Sequence, residues 1–215
     1  HQFELYDVVR LDHFRGFQAY YVIPADAESA KEGHWEKGPG LPFFKFLRES
    51  GCPQNFIAED LGFLTEEVHE LIDASGFPGM KVLQFAFDEI NSTYMPHNYP
   101  PHCIAYTGTH DNTTTAGWFA TASPAQLTLA RQYLGISQKT SGVQAAIRGV
   151  LASAAGTAII PLQDYLALGH EARINTPATL GGGNWRWRVS SHRLTPALAK
   201  DICSLNRLYG RTPPE

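Results

Sequence analysis

The sequence has few residues that form covalent or metal-bound cross-links. Three cysteines occur in 215 residues, far apart in the chain, at Cys52, Cys103 and Cys203. They form no CxxC pair, and an odd number cannot all pair with one another, which favours reduced thiols in a cytosol-like compartment. No histidines have the spacing of metal ligands. We therefore expect no metal site and a cytosol-like location.

Charge of one sign and long apolar runs are also missing. The formal net charge is −4, and lysine and arginine form no dense run, which argues against nucleic-acid and acidic membrane partners. No uninterrupted apolar stretch is long enough to cross a bilayer. Neither GxGxxG nor a GxxxxGKS-type phosphate loop occurs, so a bound nucleotide is not expected. These absences favour a neutral or polar substrate and no organic cofactor.

What the chain does contain is a globular composition in which strands alternate with helices. Hydrophobic residues make up 43% and aromatic residues 12%, enough for a sizeable core. Runs rich in β-branched and aromatic residues predict five buried strands, at 8–11, 55–58, 81–87, 104–107 and 158–161. Capping residues and helical spacing predict helices at 65–76, 123–134, 142–155 and 196–209.

This alternation predicts a mostly parallel sheet, either open and doubly wound or part of a (β/α)8 barrel. Polar residues follow every predicted strand: Asp12, Glu59 and Asp60, Asp88, His110 and Asp111, and Gln163 and Asp164. A barrel gathers such strand ends around one mouth, which favours the barrel. Five strands cannot close it. We expect an α/β fold, a partial (β/α)8 TIM barrel with about the last five βα units, and residues 1–215 as the C-terminal portion of a catalytic barrel domain whose first strands precede His1.

Asp12 follows the first predicted strand, in the segment R-L-D-H-F-R-G-F at 10–17. Two arginines and a histidine flank it, and such neighbours favour the ionised form that a nucleophile requires. A structural ion pair at a strand end explains the same cluster. The spacing alone does not choose between these two interpretations.

Glu59 and Asp60 follow the second predicted strand. Because side chains alternate along a strand, we expect Glu59 to face the mouth and Asp60 to face away or to support it. Apolar neighbours favour the protonated form of Glu59, as a general acid requires. A helix cap or a surface pair of acids is the alternative, and it would be preferred if the motif stood alone.

The third acid, Asp111, lies in the segment Y-T-G-T-H-D-N at 106–112, where hydroxyls, imidazole and carboxylate crowd a predicted strand-to-helix turn. Hydrogen bonds from such groups to sugar hydroxyls strengthen as the ring flattens towards an oxocarbenium ion. An Asx turn or a helix cap is the alternative. Taken together, three acids at three strand ends favour a carbohydrate site.

Five segments together closely resemble the 4-α-glucanotransferases, the amylomaltases and disproportionating enzymes of glycoside hydrolase family 77. They are R-L-D-H-F-R-G-F (10–17), W-E-K-G-P-G (35–40), I-A-E-D-L-G (57–62), Y-T-G-T-H-D-N (106–112) and N-W-R-W-R (184–188). The resemblance implies transfer of α-1,4-glucan segments to the 4-OH of an acceptor glucan or glucose by a retaining double displacement. It implies α-1,4-glucans as partners and no metal or organic cofactor. It leaves the bacterial cytoplasm, which we favour, and the plastid as locations.

The resemblance also implies roles for individual residues. Asp12 becomes the nucleophile, Glu59 the general acid/base and Asp111 the carboxylate that stabilises the distorted sugar. The candidate substrate-binding residues are Arg10 and His110, with Asp88, Trp35, His13 and Asn112 in addition. The sequence departs from the family pattern R-M-N-x-P-G-T at Ala178, where the family has glycine, close to the run Gly181 to Gly183. This difference affects none of the three acids.

The tryptophans divide into two groups. Trp35 has Gly-rich surroundings, so we expect it in a flexible loop where its ring can stack on a glucose unit. Trp185 and Trp187 lie beside arginines near the C-terminus, and we expect both to be structural, because a tryptophan in a strand-helix protein more often belongs to the core than to a binding platform.

Two rival functions remain open from the sequence. One is an α-glucan hydrolase of the same barrel superfamily, which shares the acids but passes the intermediate to water. The other is an inactive glucan-binding or structural fragment, because an open five-stranded sheet exposes its edges and half of its apolar core.

Overall fold

Strands alternate with helices along residues 1–212, the part of the chain that this computed structural model describes. The strands are β1 (Val9–Leu11), β2 (Ala19–Val22), β3 (His34–Lys37), β4 (Phe56–Ala58), β5 (Gly79–Val82), β6 (Cys103–Tyr106) and β7 (Thr157–Ile159). The α-helices are α1 (Gln2–Leu5), α2 (Gly40–Glu49), α3 (Glu66–Ser75), α4 (Thr115–Thr121), α5 (Pro124–Leu134), α6 (Gly142–Leu151), α7 (Leu162–Tyr165) and α8 (Pro196–Leu208). The fold is mixed α/β, as predicted.

The chain divides into two units, and the first comprises His1–Met80. Its strands β1 and β4 are parallel, with Leu11 opposite Ala58. Beneath them lies an aromatic core in which Phe14 stacks on Phe44 at 5.3 Å between ring centroids. Burial of each such ring contributes about 1.5–3 kcal/mol relative to exposure.

Helix α3 of the first unit has the ends that its sequence predicts. Thr65 occupies the N-cap position, and the chain leaves the helix at Gly76 with φ of 71°, a left-handed conformation that glycine adopts without strain. Val68 and Leu71 are buried on the inner face. The helix therefore packs through the predicted apolar stripe.

A hairpin of β2 and β3 in the first unit corrects the expected position of Trp35. The residue lies in β3, directly opposite Tyr21 of β2, and not in a flexible loop. All four positions of β3 are exposed, so the strand lacks the buried alternation by which a sequence pattern is recognised. Cross-strand pairing, which lies outside the local sequence, decides the structure here.

The second unit begins at Lys81. Its strands β6 and β7 are parallel, with Ala105 opposite Ala158, and they lie in a sheet of order β5-β6-β7 whose strand β5 begins before the boundary, at Gly79. Helices α5 and α6 cover one core, which includes Ala130 and Val150. A second cluster joins α6 to α8 through residues such as Ile147 and Leu205.

The predicted strands agree with β1, β4, β6 and β7 to within two residues at each end. The prediction at 81–87 is wrong beyond Val82, where a 3-10 helix runs through Leu83–Asp88. A short apolar run does not distinguish a buried strand from a buried helical turn. No helix within residues 1–212 has the length and apolarity to cross a membrane.

Candidate active site

The first unit brings Asp12 and Glu59 to neighbouring strand ends. Leu11 and Ala58 are partners in the parallel ladder, so the next residue of each strand is one of the two acids. The backbone N–H of Glu59 donates to Leu11 O at 3.0 Å, and that of Phe14 donates to Glu59 O at 3.1 Å. The predicted placement of both acids at the carboxyl ends of parallel strands is therefore confirmed.

The carboxylate of Glu59 is held by two backbone donors. Oε2 accepts from the N–H of His13 at 2.7 Å, and Oε1 accepts from the N–H of Leu61 at 2.9 Å. His13 has φ of 49° and ψ of 52°, a left-handed conformation that is uncommon for a residue with a side chain. The N–H of His13, the residue after Asp12, donates to Glu59, so the two loops meet at this hydrogen bond.

Asp12 is open to solvent, with 77% of its side chain exposed, and it is oriented by Arg10. Nη1 of Arg10 donates to Asp12 Oδ1 at 2.7 Å, while Nε points the other way and donates to Met80 Sδ at 3.2 Å. The guanidinium is thus fixed at two points. An accessible carboxylate beside a fixed cation is suited to nucleophilic attack.

Asp60 supports the site from the other side of the strand. Its Oδ1 accepts from the backbone N–H of Met80 at 2.6 Å. The carboxyl group lies so close to Gly79 that a Cβ at that position would collide with it. Asp60 therefore bonds to the start of β5 while Glu59 contacts the Asp12 loop, as the alternation of side chains predicts.

Arg15 links the loops that follow both acids. Its Nη1 donates to Phe63 O, beyond Glu59, at 3.0 Å, and its guanidinium carbon lies 4.3 Å from the ring centroid of Trp35. Trp35 is 53% exposed and contacts Tyr21 edge to face at 5.2 Å between centroids. The sequence pointed to Trp35 but not to Arg15 as its partner.

In the second unit, Asp111 lies in a dense hydrogen-bond network. Asn175 Nδ2 donates to its Oδ1 at 2.5 Å, and Arg173 Nη2 donates to its backbone oxygen at 2.6 Å. Nε2 of His110 lies 3.3 Å from Asp111 Oδ2. Asn175 also donates its backbone N–H to His110 O at 3.0 Å. The pair His110 and Asp111 is therefore held by the segment that contains Arg173 and Asn175.

Asn112 shapes the turn that presents Asp111. Its Oδ1 accepts from the N–H and the Oγ1 of Thr109, at 2.9 and 2.8 Å. This arrangement is not the Asx turn that the sequence left as an alternative, because the Asn112 side chain reaches back three residues and does not accept from the N–H two residues later. The bonds between Thr109 and Asn112 close the turn on both sides of Asp111 and so help to hold it in position.

Trp185 lies against His110, with 5.1 Å between the ring centroids, and 66% of the residue is exposed. Its φ of 61° is left-handed, and its N–H donates to Ile174 O at 2.8 Å. Trp185 therefore does not lie in the core: its exposed ring packs on a candidate site residue, and its structural role stays a prediction. Asn175 and Arg173 were not among the candidate site residues from the sequence, although both lie in the segment 173–179, which resembles the family pattern R-M-N-x-P-G-T.

Asp88 is bound to the start of α5 in the second unit. Its Oδ1 accepts from Gln126 Nε2 at 2.7 Å. Gln126 completes a capping box with Ser123, so the helix end and Asp88 hold each other. Asp88 lines a different cavity from that beside His110. Within residues 1–212 no group of three or more His, Cys, Asp or Glu side chains is arranged to hold a metal ion.

Comparison with known proteins identifies the family. The model of glycoside hydrolase family 77, described as 4-alpha-glucanotransferase, matches residues 1–195. The chain is 46% identical over 210 residues to a 4-alpha-glucanotransferase of Clostridium butyricum, covering 97% of this chain and 43% of that protein. It is 47% identical over 201 residues to a 4-alpha-glucanotransferase of Thermus thermophilus, covering 90% and 40%.

A solved structure agrees. The amylomaltase of Streptococcus agalactiae, solved in complex with acarbose, superposes with a TM-score of 0.93 at 35% identity, over 98% of this chain and 43% of that one. The chain thus spans less than half the length of these relatives. It belongs to the 4-alpha-glucanotransferase family, glycoside hydrolase family 77.

Proposed function

We propose that the protein transfers α-1,4-glucan segments to the 4-OH of another glucan or of glucose with retention at the anomeric carbon. The observation that carries this proposal is the meeting of Asp12 and Glu59 at neighbouring strand ends, joined by the His13 N–H. Family membership supports it. The substrates are α-1,4-glucans, and we place the reaction in the cytoplasm.

In the first step, Asp12 attacks the anomeric carbon of the donor glucan. The bond to the leaving oxygen breaks as Glu59 gives that oxygen its proton, and a covalent glycosyl-enzyme ester forms. The cation of Arg10 at 2.7 Å keeps the Asp12 carboxylate oriented towards the open side of the strand end. This step requires the two carboxyl groups to lie about 5 Å apart.

In the second step, Glu59 accepts the proton of the acceptor 4-OH, and the resulting oxygen nucleophile displaces Asp12. The two displacements together retain the configuration of the sugar. The two backbone donors on Glu59 fix the position of its carboxyl group for both steps.

Asp111 is proposed to stabilise the flattened sugar ring through its hydroxyls, with His110 beside it. The network from Asn175 and Arg173 supports this role because it leaves the carboxylate ordered before substrate arrives. We propose Asp88, Trp35, His13 and Asn112 as further substrate contacts. Of these, Trp35 offers a stacking face and His13 adjoins Asp12.

We propose further that the chain forms about the last five βα units of a (β/α)8 barrel and is the C-terminal portion of a catalytic domain. The likeness to the acarbose-bound amylomaltase supports both the barrel and an α-glucan ligand. The parallel pairs β1-β4 and β6-β7 are the arrangement that barrel strands require.

Incubation with maltotriose tests the function. Transfer yields glucose together with maltotetraose and longer oligosaccharides, whereas hydrolysis yields only maltose and glucose. Chromatography of the products separates the two outcomes. Binding of maltotriose by calorimetry without any product would instead indicate a glucan-binding protein, and the proposed catalysis would be wrong.

A further inference from the structure

Asp164 is a buried carboxylate for which the proposed mechanism has no use. It lies in α7, and only 2% of it is exposed. No cation within residues 1–212 forms an ion pair with it. Burial of a carboxylate is strongly unfavourable unless hydrogen bonds compensate for the lost water. The identity of its hydrogen-bond donors therefore indicates what it does.

The donors come from the two ends of one segment. Thr107, the first residue after β6, donates its hydroxyl to Asp164 Oδ2 at 2.5 Å. Thr115, the first residue of α4, donates its hydroxyl to the same oxygen at 2.7 Å and its backbone N–H to Oδ1 at 2.8 Å. The segment between them, 108–114, carries His110 and Asp111. One carboxylate therefore fixes both ends of the segment that presents these two residues.

The segment 108–114 depends on such anchors because it lies over a cavity. A space of about 40 Å³ is lined by much of this segment, by Asp164 itself and by residues near Arg173. Atoms that face a cavity lack dispersion contacts on that side. Hydrogen bonds to a carboxylate are shorter and stronger than bonds between neutral groups, so they suit this task.

We propose that Asp164 is a positioning residue, which holds Asp111 and His110 at their working position by anchoring Thr107 and Thr115. The kinetic consequence of this inference rests on the proposed function. The structural consequence, an ordered segment 108–114, does not.

The first test measures hydrogen exchange of the segment 108–114. Asp164→Asn keeps the shape of the side chain but replaces one acceptor oxygen by an amide donor. Thr115→Val removes one hydroxyl donor without changing the volume, whereas Thr115→Ser keeps that donor. We expect exchange in 108–114 to accelerate at least about tenfold in Asp164→Asn and Thr115→Val, with Thr115→Ser and helix α3 close to wild type.

The second test measures transfer from maltotriose in the same variants. A displaced Asp111 loses transition-state contacts, so kcat should fall about 10- to 100-fold in Asp164→Asn and Thr115→Val, with KM changed less than about twofold. Thr115→Ser, which keeps the hydroxyl, should have a kcat close to that of the wild type. Asp73→Asn, which changes an exposed acid on α3, serves as the control.

Three outcomes would overturn the inference. They are unchanged exchange in 108–114 for Asp164→Asn and Thr115→Val, equally faster exchange throughout the second unit, and an unchanged kcat in a variant whose segment is loosened. Should the wild-type chain transfer no glucan, the proposed function fails, while the exchange measurement still decides the role of Asp164.

Discussion

The backbone N–H of His13 donates a 2.7 Å hydrogen bond to Oε2 of Glu59. This bond joins the residue that follows the proposed nucleophile to the proposed acid/base. His13 has a left-handed backbone, with φ of 49°, and such strained positions occur where the surrounding structure imposes them. The relative position of the two acids is thus set by backbone as well as by side chains.

Replacement of Asp12 by Asn should abolish transfer. The amide is not a nucleophile of sufficient strength, and loss of one member of a catalytic set commonly lowers kcat by on the order of 10⁴-fold or more. Product formation from maltotriose measures the effect. Asp26→Asn, at an exposed acid of the same unit, should keep wild-type activity, and undiminished activity in Asp12→Asn would reject the nucleophile assignment.

Glu59→Gln should lose glucan transfer but keep reaction with a donor that needs no protonation. Since fluoride leaves without a proton, Glu59→Gln should still release a burst of about one fluoride per active site from α-glucosyl fluoride, while maltotriose turnover falls about 10²- to 10⁴-fold. A fluoride electrode and product chromatography give the two rates. Loss of the fluoride burst as well would show that Glu59 acts otherwise than as the acid of the first step.

Asn175→Ala should lower kcat about 10- to 100-fold with a smaller effect on KM. The change removes the 2.5 Å bond to Asp111 Oδ1 but keeps the backbone bond to His110. Steady-state kinetics on maltotriose measure it. Asn91→Ala, at an exposed position, is the matched control. A rise in KM alone for Asn175→Ala would mean that Asn175 contributes only to ground-state binding.

Arg15 and Trp35 should be energetically coupled. A cation above an aromatic ring contributes about 0.5–1 kcal/mol at a partly exposed site, so Arg15→Gln and Trp35→Leu should each destabilise the first unit and together less than additively. Urea unfolding of the wild type, both single variants and the double variant gives the coupling energy. A coupling energy of zero would mean that the two side chains lie close together without stabilising each other.

Alkaline pH should destabilise the protein through Tyr99. Burial raises the pKa of Tyr99, so the folded chain keeps the phenol protonated at pH values where the unfolded chain ionises it. The associated stability is complete below the ordinary tyrosine pKa of about 10 and is lost as the pH rises above it.

Tyr99→Phe should therefore keep more of its stability than wild type between about pH 10 and 12. At neutral pH it should equal wild type or exceed it by about 1 kcal/mol, because the Tyr99 hydroxyl has no hydrogen-bond partner within residues 1–212. Urea midpoints at several pH values test this, with the exposed Tyr6→Phe as control. Parallel pH curves for wild type and Tyr99→Phe would contradict the assignment.

Local sequence predicted most of the regular structure. Helices α3 and α5 begin after Thr65 and Ser123, as those residues predict, although only Ser123 makes the capping hydrogen bond with its side chain. The strand predicted at 81–87 is wrong over Leu83–Asp88, because an apolar run of that length fits a strand and a helical turn equally. The prediction of a loop around Trp35 is wrong, because the exposed paired strands β2 and β3 have no local hydrophobic pattern.

The sequence by itself determined which acids follow strands, since side-chain alternation and strand ends are local properties: Asp12, Glu59 and Asp111 were found in this way. Only the tertiary structure decided what holds them. The contacts of His13 with Glu59, of Asn175 with Asp111 and of Thr107 with Asp164 join residues 46, 64 and 57 positions apart. No local pattern encodes such pairs, because folding of the intervening chain brings them together.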